Sequence, residues 1–252
     1  MQRQMEMLAV FHILKNGGTT IVDRYKHNAG FAYQRVKHEL VFNYQQPNQI
    51  TLHIDQDTYN PDVVFGHGVS FDGPWLTDNV KYATILRHPI DRIISAFNYF
   101  KLEMYNIHGV KTEIDFRTWF INKSRLIPTP VFNQFQTFTD MPNSCLYTDY
   151  GLNINETLSE QLYDQAITNI NHIDHVLFME DDYVKKFDDI MINYNMLPAY
   201  DIVHTHNTRK ELNHVGDTYT TYEQLDNDNT ELLNTHMEKD IQFYEYCRKK
   251  FK

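Results

Sequence analysis

Short apolar runs alternate along the chain with longer stretches whose apolar residues recur every three or four positions. Met7–Leu14 (MLAVFHIL) is mostly apolar and stops just before a lysine and a glycine pair, the pattern of a buried parallel strand. Asp62–Phe65, Lys81–Leu86 and His175–Met179 are strand candidates too, and Gln49–Ile54 is another. Between them the spacing predicts helices over Thr19–His27, Ile90–Tyr105, Asn133–Asp140, Ser159–Asn171 and Tyr183–Asn195. A long helix over Thr230–Phe251 carries Leu232, Leu233, Met237, Ile241 and Tyr244 along one face. This alternation predicts an α/β layer sandwich with a central, mainly parallel sheet, and in such sheets ligands bind beyond the carboxyl ends of the strands. No repeat, low-complexity tract or Pro/Gly/Ser-rich linker interrupts the 252 residues, so 1–252 is expected to form a single domain.

Composition narrows the function classes. With 42% apolar and 22% charged residues the chain is an ordinary globular protein, and its net charge of −10 argues against a general nucleic-acid binder. Residues 1–40 run the other way, with Arg3, Lys15, Arg24, Lys26, Arg35 and Lys37 against Glu6, Asp23 and Glu39. An anion site near the N-terminus is compatible with that excess. Cys145 and Cys247 match no zinc or redox spacing, and two lone thiols fit a reducing compartment. The apolar run Met7–Phe11 is too short for a signal-peptide core or a membrane span, so the expectation is a cytoplasmic protein without a membrane anchor.

Two strand-to-helix turns carry the candidate chemistry. In His12-Ile13-Leu14-Lys15-Asn16-Gly17-Gly18-Thr19-Thr20 a buried strand meets a lysine and two glycines, and two hydroxyl residues then open a helix. Glycines let consecutive amides point at one anion, and the helix start adds unpaired N–H groups and its positive dipole end. The lysine precedes the glycines, so this is not the nucleoside-triphosphatase loop, and no dinucleotide fingerprint is present. In Leu86-Arg87-His88-Pro89-Ile90-Asp91-Arg92-Ile93-Ile94-Ser95, Arg87 ends a strand and Ser95 lies two turns along the helix, where both suit a second phosphate. Each turn alone also fits an ordinary helix start, the second with Asp91 and Arg92 paired on the surface. The two in this order favour one ligand with two anionic ends.

These segments resemble the sulfotransferase superfamily that uses 3′-phosphoadenosine 5′-phosphosulfate, and within it the heparan sulfate 2-O-sulfotransferase-like carbohydrate branch. The resemblance implies a P-loop-type three-layer sandwich. It also implies that Lys15, Asn16, Gly17, Gly18, Thr19 and Thr20 hold the 5′-phosphosulfate while Arg87 and Ser95 hold the 3′-phosphate. Asp62–Phe71 resembles the segment with the catalytic base, which maps to His67; Glu39 is the reserve and Asp72 a further acidic alternative. Lys15 would stabilise the oxygen that leaves sulfur. Phe132–Gln136 resembles an Asn/Gln-containing helix near the active site, His175–Asp181 the late strand with its Glu, and Asn234–Phe251, with Asp240 and Tyr244, the closing helix.

The Asn207–Lys210 segment is expected to be a polar loop from which Arg209 or Lys210 touches the donor. Trp75 or Tyr99 are candidates for a sugar or adenine pocket. His172, His175, His204, His206 and His214 lack specific ligand spacing, so no metal is expected. The resemblance implies a carbohydrate or polysaccharide acceptor; a modest basic patch at Lys101, Lys111, Arg117, Lys123 and Arg125 does not choose between neutral and anionic sugars. A phosphotransferase of the wider P-loop class and a non-catalytic nucleotide- or glycan-binding protein are the alternatives.

Overall fold

The structure is a computed structural model that describes residues 6–13, 15–28, 31–34, 62–66, 69, 71, 79–126, 134–139, 156–198 and 207–252. Five strands form one sheet among these residues: β1 (Met7–Phe11), β2 (Phe31–Gln34), β3 (Val63–Gly66), β4 (Val80–Leu86) and β5 (His175–Phe178), in the order β2-β3-β1-β4-β5. Every pairing is parallel. All five residues of β1 are buried, because this strand has a neighbour on each edge and helices above and below.

Side-chain alternation along β1 divides the interior in two. Met7, Ala9 and Phe11 face a cluster with Leu86, Val176 and Phe178, covered by α4 (Glu156–Asn169) through Leu162 and Ala166. The C-terminal helix α7 (Asn227–Phe251) closes the same side through Phe243, Tyr244 and Cys247. Leu8 and Val10 face the opposite cluster, with Ile21, Val22 and Tyr25 of α1 (Gly18–Tyr25) and Phe187, Ile190 and Met191 of α5 (Tyr183–Ile192). Arg24 and Tyr25 also bind Asp188 of α5, each at 2.5 Å. Helices on both faces of a parallel sheet give the expected three-layer sandwich. A third cluster packs α2 (Pro89–His108) against Phe116, Trp119 and Phe120 of α3 (Phe116–Leu126) and Leu233 and Met237 of α7.

Several boundaries differ from expectation for local reasons. The first strand stops at Phe11, since His12 and Ile13 already lead into the turn. Gln134–Phe138 is one short 3-10 segment rather than an α-helix. Asn207 caps a genuine helix, α6 (Thr208–His214), by accepting from the Lys210 N–H at 3.1 Å, so Arg209 and Lys210 sit in a helical first turn and not in a loop. Strand β2 and helix α3 were not anticipated. Lys101 leaves the expected basic patch: it is buried, binds the Thr218 carbonyl and pairs with Asp217 at 3.1 Å. The strand candidate Gln49–Ile54 and Cys145 lie outside the described residues, whereas Cys247 is a buried free thiol pushed up to about 12 by burial. No helix among the described residues is long and apolar enough to cross a membrane.

Candidate active site

At the carboxyl edge of the sheet, β1 gives way to the first turn. The His12 N–H donates to the Gly66 carbonyl at the end of β3 (3.0 Å), and the Asn16 N–H donates to the Ile13 carbonyl (3.2 Å). Lys15 and Gly17 take left-handed backbone conformations, with φ of 66° and 79°. A Cβ on Gly17 would lie 2.5 Å from the Tyr183 hydroxyl, and one on Gly18 would lie 1.9 Å from Nε2 of His12. Both glycines are therefore dictated by protein packing, Gly17 by its φ as well. The Tyr183 hydroxyl donates to the Gly17 carbonyl at 3.3 Å, which fastens the turn to α5. Helix α1 then begins with an exposed Thr19 and a buried Thr20, with no acidic residue in its first turn. The N–H groups that open a helix have no partner within it, so this end suits an anion.

The second turn follows β4. Arg87 reaches back and donates from Nη1 to the Lys15 carbonyl at 3.1 Å. The Gln134 side chain brackets the arginine backbone, donating to the Arg87 carbonyl (2.9 Å) and accepting from its N–H (3.4 Å). Asn16 is 1% exposed and turned inward, donating from Nδ2 to the Ile85 carbonyl (2.8 Å) and to Gln134 (3.3 Å). Its side chain thus clasps the two turns together instead of facing solvent, while Oδ1 is buried with no hydrogen-bond donor among the described residues. Ser95 is buried on α2, two turns beyond Arg87.

The Lys15 ammonium lies 4.1 Å from the ring centroid of Tyr99 on α2. Burial, and then the Arg87 guanidinium, bring its pKa down to about 8, with Glu103 and Glu211 opposing the fall. Two cations held close together in a half-buried site are what a multiply charged anion would relieve. Arg209 stacks over the Tyr219 ring at 4.6 Å, and nothing described brings it to Lys15 or Arg87. Arg92 is not on the surface with Asp91: it is 1% exposed and pairs with the fully buried Asp240 of α7 at 3.5 Å. Burial lowers its pKa, with Arg87 adding repulsion.

Lys15 to Thr20 and Arg87 therefore share the carboxyl edge of the sheet, while Ser95 lies buried two turns along α2 with no contact to either turn among the described residues. His67, Glu39, Asp72, Trp75, His204 and His206 lie outside the described residues. Among the described residues no three His, Cys, Asp or Glu side chains gather as a metal site. Tyr183 is the contributor that sequence pattern did not single out; its signal is its position just past the end of β5, where this fold places ligand-side residues.

No family model matches the chain. No curated protein matches it either. Among solved structures 14 chains match. One is a sulfotransferase from Alicyclobacillus acidocaldarius, at 11% identity and a TM-score of 0.41, with 94% of this chain and 96% of that one aligned.

Proposed function

We propose that the protein is a sulfotransferase that moves the sulfuryl group of 3′-phosphoadenosine 5′-phosphosulfate to a hydroxyl of a carbohydrate. The observation that carries this reading is the 3.1 Å bond from Arg87 to the Lys15 carbonyl, which joins the lysine turn to the arginine turn at one strand edge. A single nucleotide with a phosphate on each side of its ribose matches two adjacent cationic turns. The donor supplies a sulfur centre whose bond to a phosphate oxygen breaks as the acceptor oxygen attacks.

This chain's residues supply the rest. The amides of Gly17 and Gly18 and the hydroxyls of Thr19 and Thr20 face the 5′ end. Lys15 stabilises negative charge on the leaving phosphate oxygen. Arg87, with Ser95, holds the 3′-phosphate and fixes register. Asn16 serves as the internal clasp between the turns. The acceptor proton passes to His67, which directly follows the final residue of β3 and whose side chain ordinarily titrates near neutrality. No metal is required in this scheme.

Adenosine 3′,5′-bisphosphate should raise the melting temperature by about 5 °C or more at a hundredfold excess over its Kd, and ATP with magnesium should not. Purified protein should transfer sulfur-35 from the donor to a glycan, and Lys15→Ala and His67→Ala should each reduce turnover by about 10²-fold or more. Stabilisation by ATP–magnesium alone would point to the phosphotransferase. Bisphosphate binding without transfer to any glycan would make the protein a non-catalytic binder.

A further inference from the structure

Resting on that donor reading, we infer that Tyr244 and Glu180 are positioning residues, through which the C-terminal helix sets the protein's selectivity for a 3′-phosphate. His88 is the N-cap residue just before α2; its side chain makes no cap, and its own N–H is taken by Oε1 of Glu180 at 2.8 Å. The other oxygen of that carboxylate accepts from the Tyr244 hydroxyl at 2.8 Å. The Tyr244 ring stands edge-on to His88 (5.4 Å) and to Phe178 of β5 (5.7 Å).

Tyr244 is the middle rung of three. Asp240, Tyr244 and Arg248 recur every four residues on one face of α7 and engage Arg92 (3.5 Å), Glu180 and Asp181 (2.5 Å) in turn. The first rung ends on α2 and the other two on Glu180 and Asp181 just past β5, so one face of α7 is fastened both to α2 and to the end of that strand. The residue beside His88 is Arg87. Its backbone is held on one side by Gln134 and on the other by the Glu180–Tyr244 pair.

Two consequences follow for phosphate recognition. A carboxylate already takes the N–H of His88, the cap residue before Pro89, so a phosphate cannot use that donor, and within the turn itself the Arg87 side chain is the group left to read the phosphate. The position of that guanidinium then depends on how firmly the His88 backbone is held. Removing the Tyr244 hydroxyl leaves the ring packing intact and frees one oxygen of the carboxylate.

Equilibrium binding of adenosine 3′,5′-bisphosphate and adenosine 5′-monophosphate tests this on the full chain. The wild type should prefer the bisphosphate. Tyr244→Phe should cut that preference by about tenfold while leaving the monophosphate Kd unchanged, as loss of a charge-assisted hydrogen bond next to the 3′ contact would. Glu180→Gln, which keeps the shape, should do the same, and neither variant should change the preference further in an Arg87→Ala background. Equal weakening of both nucleotides, or an unchanged preference, overturns the inference and makes the rung purely structural. A wild type indifferent to the 3′-phosphate would instead overturn the donor reading itself.

Discussion

If the proposed function holds, Lys15 is the residue whose charge state decides whether the anion is held. Its pKa of about 8 arises chiefly from burial and then from Arg87. Anion binding favours the ammonium form, so affinity is full below that value and falls as pH rises through it. The Kd for adenosine 3′,5′-bisphosphate should therefore grow on the alkaline side, toward the limit of about tenfold per pH unit set by loss of one proton. Lys15→Arg should flatten the profile, because a guanidinium stays charged throughout. Calorimetric titration from neutral to alkaline pH measures both, and a level wild-type curve would mean that this lysine does not face the ligand. The left-handed backbone at Lys15 belongs to the same device, since it lets the turn carry the carbonyl to Arg87 and the ammonium to Tyr99.

Among the elements, the two turns depend on a clasp that neither makes alone. Asn16→Ala leaves the buried Ile85 carbonyl without its donor, at a cost of about 1–3 kcal/mol. Urea denaturation should show that loss, and a neutral result would mean that water replaces the amide. Strands β1, β3, β4 and β5 and helices α1, α2, α4, α5 and α7 were legible because each carries an apolar run or a periodic apolar stripe of its own. Four-residue β2 has no pattern of its own and exists as a partner for β3. The stripe Phe116, Trp119 and Phe120 was present in α3, but the segment draws the eye for its basic residues. Helix α6 hid because six of its seven residues, all but Leu212, are polar or charged. Both candidate turns, the glycine turn after β1 and the arginine turn after β4, were visible as local strings; the inward turn of Asn16 and the partner of Arg92 were not, because each depends on residues far away in sequence.

At the scale of the whole molecule, the Arg92–Asp240 pair joins the middle of the chain to its last helix in a site with at most 1% exposure on either side chain. Removing one partner strands a buried charge. Asp240→Leu alone should cost about 3–5 kcal/mol, whereas Arg92→Met with Asp240→Leu should recover most of it. Denaturant titration of the three proteins measures the difference, and additive losses would show that the charges are not coupled. The pair also ties two segments far apart in the sequence. During synthesis α2 emerges long before residue 240, so the partner that neutralises its buried arginine is among the last residues made. A chain cut before residue 240 should therefore leave the Arg92 face of α2 open to limited proteolysis, whereas the full chain protects it.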